Sequence, residues 1–147
     1  MKKSSFMNLS LILAFLLLPL SIFAKDKVQP FTQASPEIKE YILKHFPSGK
    51  VALYKIDSHL FSKKYKVLFE DGTKLNFNKD NQIIEIDSKN KLPDTVIPPK
   101  LLTYVKDNYP KNYITEWELK RNKQEIELDN GLELEFTLEG DFIRIDD

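Results

Sequence analysis

Residues 65–77 read YKVLFEDGTKLNF, and residues 124–136 read QEIELDNGLELEF. In both stretches apolar residues alternate with polar ones on either side of a central Asp-Gly or Asn-Gly pair. Alternation with period two is typical of a strand with one buried face, and such a pair between two alternating runs indicates a β-hairpin. The chain therefore contains the same hairpin twice, and this repetition decides the fold.

A short amphipathic helix precedes each hairpin. Apolar residues with helical spacing follow Pro36 and Pro99, and a Phe-Pro or Tyr-Pro pair closes each segment at Pro47 or Pro110. Ser35 is a candidate N-cap of the first helix, and proline is favoured at the first helical position. Each half of the chain thus begins with a helix that has only one apolar side.

The alternation after each helix extends over four short runs. The sequence therefore predicts an α+β fold with two α-β-β-β-β repeats, residues 25–90 and residues 91–147, in a single compact domain. We expect one antiparallel eight-stranded sheet with both helices packed on one face, because single-sided helices cover a sheet from one side.

The first residues have the features of a secretory signal. Lys2 and Lys3 precede an apolar run over residues 9–18, and the small residue Ala24 stands before the charged Lys25. We interpret residues 1–24 as a signal peptide cleaved after Ala24, with a transmembrane anchor as the alternative. The chain has no cysteine, so lipidation at an N-terminal cysteine is excluded. The predicted location is the periplasm or the exterior of the cell, with no membrane contact after cleavage.

A helix ending in Phe-Pro or Tyr-Pro, followed by alternating strands around Asp-Gly or Asn-Gly, resembles the PepSY-like, β-lactamase-inhibitor-like domains of exported bacterial proteins. The resemblance covers both repeats. It implies a tandem α/β repeat fold and a binding or inhibitory role outside the cytoplasm. Inhibitors of this shape engage enzymes through the open face of the sheet and the neighbouring loops.

The sequence contains no arrangement of residues typical of a catalytic centre. Its two histidines, His45 and His59, lack metal-ligand spacing, and its four glycines form no phosphate-binding loop. We therefore predict no enzymatic activity, no cofactor and no metal site. Beyond Ala24 the chain has 20 basic against 22 acidic residues, which provides no overall positive charge for nucleic acid.

The outward positions of the predicted strands differ in charge between the two repeats. Residues 25–90 have 12 lysines and 9 acidic residues, whereas residues 91–147 have 8 basic and 13 acidic residues. We interpret the outward residues as a bipolar surface for a protein partner or a second copy of the chain, with ordinary solvated strand faces as the alternative. The candidate binding residues are Lys64, Lys66, Leu68, Lys74, Glu125, Glu127, Glu133 and Glu135.

The connection between the first two strands is longer in the first repeat than in the second. The added residues include Leu60 and Phe61, which at a hairpin tip would be exposed apolar groups suited to anchor a partner. The alternative is that the strands run longer and these side chains lie against the edge of the sheet.

Taken together, these features predict an exported, non-enzymatic protein-binding module, with inhibition of an extracytoplasmic hydrolase as a narrower form of that function. Two alternatives remain. One is a structural module of the cell envelope without a dedicated ligand. The other is a carrier of a small apolar or peptide ligand.

Overall fold

The computed structural model describes residues 27–59 and 62–146, which form one antiparallel sheet and two α-helices. The sheet has nine strands in chain order, and each strand pairs with the next one along the chain. The strands are β1 (Lys27–Gln29), β2 (Val51–His59), β3 (Ser62–Phe69), β4 (Lys74–Phe77), β5 (Ile83–Asp87), β6 (Ile114–Leu119), β7 (Gln124–Leu128), β8 (Glu133–Phe136) and β9 (Phe142–Asp146). The expected number of eight strands is wrong, because β1 adds three residues to the edge of β2.

Both hairpins expected from the Asp-Gly and Asn-Gly pairs are present. Gly72 and Gly131 have φ values of 89° and 80°, a conformation that glycine adopts without steric cost. The side chain of the preceding residue closes each turn, since Asp71 accepts from the N–H of Thr73 and Asn130 accepts from the N–H of Leu132. These turns set the register of β3 with β4 and of β7 with β8.

The two helices, α1 (Pro36–His45) and α2 (Pro99–Asn108), each have ten residues and begin with proline. The Oγ of Ser35 accepts a hydrogen bond of 3.3 Å from the N–H of Ile38, which confirms Ser35 as the N-cap of α1. A short 3-10 helix precedes each of them, Phe31–Gln33 before α1 and Asp94–Val96 before α2. Among the described residues, none of the helices is long and apolar enough to cross a membrane.

Both helices pack on the same face of the sheet. Tyr41 of α1 lies edge-on against Phe77, and Tyr104 of α2 lies edge-on against Phe136. Strand pairing places both phenylalanines on the face that also holds the central row of fully or almost fully buried side chains. That row consists of Val67, Leu75, Ile86, Trp117, Ile126 and Leu134.

In the last strand of each half, a bulge changes which side chains point toward the helices. Alternation alone predicts that Ile84 and Ile143 face the helices. In the structure Phe77 pairs with Ile83 and Phe136 pairs with Phe142, with a register shift beside each pair. The extra residue in each bulged strand moves the alternation by one position.

The interpretation of residues 1–24 as a signal peptide falls outside the described residues, and so do Leu60 and Phe61.

Candidate binding surface

Strand pairing arranges the face opposite the helices, which we call the open face, into two rows that cross the sheet. The first row is Lys55, Lys66, Asn76, Glu85, Glu118, Glu125, Glu135 and Arg144. The second row is Leu53, Leu68, Lys74, Asp87, Glu116, Glu127, Glu133 and Asp146. Seven of the eight strand residues predicted as binding residues lie in these rows, and Lys64 lies beside them opposite Asp57.

The part of the open face on β2 to β4 is basic and partly apolar. Lys66 forms an ion pair of 2.9 Å with Asp57, and Lys74 forms one of 2.6 Å with Asp87. The hydrogen bond from Lys74 to Asp87 raises the pKa of Lys74. Leu53 pairs with Leu68 at this end, and Leu53 is 36% exposed. This end therefore combines lysine side chains with accessible apolar surface.

In the first row, the glutamates of β7 and β8 are neutralised by cations of the chain itself. Glu135 is only 3% exposed, and both its carboxylate oxygens accept from Arg144, at 2.8 and 3.1 Å. Lys123 contacts Glu135 as well and lies 2.7 Å from Glu125, which also contacts Lys120. The bonds from Arg144, followed by those from Lys123, lower the pKa of Glu135 to about 2. Glu135 is therefore ionised, and cations of the same chain hold Glu125 and Glu135 in place on the open face.

The centre of the second row has the opposite character. Glu116 pairs with Glu127, and Glu127 pairs with Glu133, so three carboxylates stand on adjacent strands. Among the described residues, no lysine or arginine forms an ion pair with any of them. Adjacent like charges on a sheet are destabilising. This group of Glu116, Glu127 and Glu133, which we call the glutamate cluster, is therefore maintained at a cost to the fold.

Burial makes the cluster more unfavourable at Glu116. Desolvation, followed by the charges of Asp87 and Glu127, raises the pKa of Glu116 to about 7. The cluster lines a depression of about 230 Å³, and Lys120, which pairs with Glu118 and Glu125, lines the same depression. A cation placed there by a partner would offset both the repulsion and the desolvation.

Sequence reasoning did not single out Glu116 or the three cations Lys120, Lys123 and Arg144. The alternation of residues 114–119, ITEWEL, contained the signal for Glu116, because Glu116 and Glu118 flank the inward Trp117. The same alternation indicated Arg144, which lies between Ile143 and Ile145 on β9. The sequence had no comparable signal for Lys120 and Lys123, because they reach the open face from a turn. His45 contacts Thr95 through Nδ1 at 3.0 Å, away from the open face. Within residues 27–59 and 62–146, no group of three or more His, Cys, Asp or Glu residues is placed to hold a metal ion.

The fold and this surface define a class, namely α+β proteins with one sheet face covered by helices and the other face open and charged. Residues 63–144 match the model of a family described as "Putative beta-lactamase-inhibitor-like, PepSY-like". The chain belongs to this family, and the resemblance noted in the sequence is confirmed.

Three solved structures with a similar fold come from Bacteroides species. One, from Bacteroides thetaiotaomicron, is described as a putative calcium-regulated periplasmic protein. It is 35% identical with a TM-score of 0.79, and the match covers 83% of this chain and 97% of that one. A putative periplasmic protein from Bacteroides vulgatus is 33% identical with a TM-score of 0.79, covering 84% and 98% of the two chains. A second Bacteroides vulgatus protein, also described as periplasmic, is 35% identical with a TM-score of 0.78 and coverages of 84% and 100%. The comparison with curated proteins gave no match.

Proposed function

We propose that this protein is an exported, non-enzymatic module that binds another protein through the open face of its sheet. The observation that carries the proposal is the glutamate cluster, three adjacent carboxylates that form no ion pair with a lysine or arginine in the described part of the chain. A sheet that needed only solubility would gain from neutralising them, as Lys123 and Arg144 neutralise Glu135 in the neighbouring row. Export is supported by the features of residues 1–24 and by the periplasmic description of the similar structures.

We infer the chemistry of the proposed partner from the charges and apolar residues of the open face. The glutamate cluster favours lysine or arginine side chains, and the pair Leu53 and Leu68 at the other end favours an apolar group. A partner that presents both would be oriented by the charge pattern and held by the apolar contact. Of the predicted lysines, Lys74 lies between these two regions, and Lys64 and Lys66 lie on β3, the strand of Leu68. In this proposal they contact acidic groups of the partner.

We also propose that the two halves of the chain, residues 25–90 and residues 91–147, are copies of one α-β-β-β-β unit. Each half has a 3-10 helix, a ten-residue α-helix and four strands of the sheet in the same order. Each also has a bulge at the corresponding position of its last strand pair. The binding surface would then have arisen where the outward residues of the two copies diverged.

A narrower form of the proposal is that the partner is an extracytoplasmic hydrolase and that binding inhibits it. The family description supports this form. It predicts that the purified protein lowers the hydrolytic activity of an envelope extract at stoichiometric concentration. An unchanged activity in the presence of a captured partner would reject inhibition while leaving protein binding intact.

The test of the main proposal is affinity capture from the native envelope fraction with the purified protein as bait. The double variant Glu127→Lys/Glu133→Lys should lose the captured partner, and the capture should weaken as salt rises because the contact is electrostatic. The matched control is Glu40→Lys/Glu139→Lys, which changes the net charge equally at exposed positions outside the two rows. Equal capture by both double variants would overturn the proposal.

Two further outcomes distinguish the alternatives. A failure to capture any protein supports a structural module of the envelope. A small molecule that co-purifies with the bait supports a ligand carrier. Since one similar structure is described as calcium-regulated, each capture is done with calcium and with chelator, and a difference would place calcium in the control of this surface.

A further inference from the structure

The outer edge of β9 is an apolar strand edge with no partner among the described residues. β9 pairs with β8 on one side only, at the end of the strand order. Three of its side chains are large, apolar and exposed: Phe142 by 39%, Ile143 by 47% and Ile145 by 44%. An exposed apolar edge of this kind is a ready site for pairing with another strand, and proteins ordinarily protect such edges.

The same strand position in the first half of the chain shows what this edge accepts. Ile86 of β5 pairs with Leu75 just as Ile145 of β9 pairs with Leu134, and both strands have a bulge at the next inward position. Ile86 is completely buried because β6 lies beside it and places Trp117 opposite. β9 therefore corresponds to β5, but no described strand lies beside it as β6 lies beside β5. The bulge in β5 does not prevent β5 from pairing with β6, so the bulge in β9 should not prevent pairing either.

The pairing of β5 with β6, which we call the internal junction, also indicates in which direction the N–H and C=O groups of β9 point. The N–H of Ser88 donates to the carbonyl of Thr115 at 3.0 Å, so Ser88 faces β6. In an antiparallel ladder every second residue faces the same side, so Ile86 faces β6 as well. Ile145 occupies the corresponding position, and its N–H and C=O therefore point outward, away from β8.

We propose that β9 pairs with β9 of a second copy of this chain, antiparallel, around a two-fold axis at Ile145. Judged by the internal junction, the residue opposite Ile145 should be large and apolar, as Trp117 is opposite Ile86. The internal junction does not set the flanking charges, because acidic residues lie opposite each other there. By the general preference for opposite charges across strands, the residue opposite Arg144 should be acidic and the residue opposite Asp146 basic, in addition to the contacts of Arg144 with Glu135 and Asp146 of its own chain. Because the partner strand runs antiparallel, its residues from N to C must then be basic, apolar and acidic. β9 itself has this order in Arg144, Ile145 and Asp146.

Other arrangements of two copies are less favourable. A two-fold axis at Arg144 would place the two guanidinium groups directly opposite each other. The other edge of the sheet, β1, has only three residues, and Pro30 next to it cannot donate to a ladder. The outer edge of β2 is already covered at this point, because Val28 and Gln29 of β1 pair with Lys55 and Tyr54 of β2.

The pairing has a consequence for the open face. A two-fold axis perpendicular to the sheet keeps the helices of both copies on one side, so the two open faces become one continuous surface. The two glutamate clusters then lie on the same side of the dimer. Because strands of five residues bury little surface, the dimer belongs with weak, reversible associations.

The first experiment expresses the full chain, purifies the exported protein and measures its self-association by sedimentation equilibrium over a wide range of concentrations. We expect a monomer–dimer equilibrium, at least tenfold weakened in Ile145→Lys, which places two lysines at the axis. Ile145 is 44% exposed, so the substitution is compatible with folding, and circular dichroism verifies this. The controls are Leu43→Lys on α1 and Val28→Lys on β1, at side chains exposed by 71% and 62%, and both should dimerise as the native chain does.

A second experiment traps the register. The native chain has no cysteine, so a single Ile145→Cys provides the only thiol. Directly opposed hydrogen-bonded residues have Cα atoms about 5.5 Å apart, within the range of about 4.4–6.8 Å for a disulfide. Mild oxidation should cross-link Ile145→Cys at least tenfold faster than Val28→Cys.

Three results would overturn the proposal. The first is a native chain that stays monomeric at every concentration. The second is an equal effect of Ile145→Lys and Val28→Lys, which would point to β9 meeting β1 in open chains of molecules. The third is equal cross-linking of the two cysteine variants.

Discussion

The two halves of the molecule are alike on the helix-covered face of the sheet and different on the open face. Tyr41 meets Phe77 at 5.5 Å and 88°, and Tyr104 meets Phe136 at 5.3 Å and 84°. On the open face, where residues 65–77 align with residues 124–136, the first half has Lys66, Leu68 and Lys74, and the second half has Glu125, Glu127 and Glu133.

This difference separates the requirements of folding from those of recognition. A buried side chain must fill a space shared with its neighbours, so both halves have the same shape there. A side chain on the open face has no such constraint, and its charge is free to differ. The reversed charges of the second half, which at the glutamate cluster form no ion pair with any described lysine or arginine, are therefore the features to test for function.

The largest expected loss of stability comes from removing one of the two equivalent core phenylalanines. Phe77→Ala and Phe136→Ala each remove a fully buried ring, and each should lower the free energy of unfolding by about 3–5 kcal/mol. Urea unfolding measures both. Leu43→Ala is the control at an exposed position and should change the stability by less than about 0.5 kcal/mol. A large difference between the two phenylalanine variants would show that the halves are not equivalent inside.

A smaller effect is expected where the two cores differ in chemistry. Gln124 is buried, accepts from Nε1 of Trp117 at 3.1 Å and donates to the carbonyls of Thr137 and Leu138. Its counterpart Tyr65 instead stacks on Tyr54. Gln124→Leu leaves these partners unsatisfied and should lower the free energy of unfolding by about 1–3 kcal/mol. Thermal unfolding measures the loss, and a neutral result would mean that water or another group replaces the amide.

The next prediction makes the second half resemble the first. Glu135 pairs with Arg144 where the first half has Asn76 paired with Glu85, so Glu135→Gln copies a neutral amide into the second half. Because the pKa of Glu135 is lowered from 4.5 to about 2, the ionised carboxylate stabilises the folded state above about pH 4.5. That contribution is lost as the pH falls through about 2.

Urea midpoints measured from pH 7 down to pH 2 test this dependence. The native chain should be more stable than Glu135→Gln at neutral pH, and the two should converge at the acid end. A difference that stays constant with pH would mean that the variant acts through packing and not through the charge.

The smallest effect is expected at Glu116, and it has the opposite sign. Its pKa is raised from 4.5 to about 7, so ionisation favours the unfolded state. The native chain should therefore lose stability as the pH rises from about 4.5 to 7, and Glu116→Gln should remove this loss. Glu139→Gln, at an exposed turn, is the control. A native chain that gains stability over this interval relative to Glu116→Gln would contradict the assigned environment.

The elements that sequence reasoning predicted well are those specified by neighbouring residues. The turns at Gly72 and Gly131 depend on the residues of the turn itself, and α1 depends on Ser35, Pro36 and a four-residue apolar spacing. The elements that it missed depend on residues distant in the chain. β1 has three residues without a pattern and exists because β2 offers an edge, and the bulges moved the facing residues to Ile83 and Phe142.

The candidate site divides in the same way. Alternation alone placed Lys66, Leu68, Glu127 and Glu133 on one face, because the side chains of a strand point alternately to its two sides. Alternation could not indicate which carboxylates are neutralised. Glu135 and Glu133 are outward residues of the same strand, yet Glu135 is buried under Arg144 and Lys123 whereas Glu133 is exposed.

The sequence by itself determined the class of fold, the two hairpins, the two helices and the sign of the charge on each half of the open face. These properties follow from residues close together in the chain, whose spacing matches the period of a strand or a helix. Only the tertiary structure decided which charges are paired, which strand edge is covered and which is open. Those properties arise from the register between strands, which brings Glu116, Glu127 and Glu133 together and leaves Ile145 exposed where Ile86 is buried.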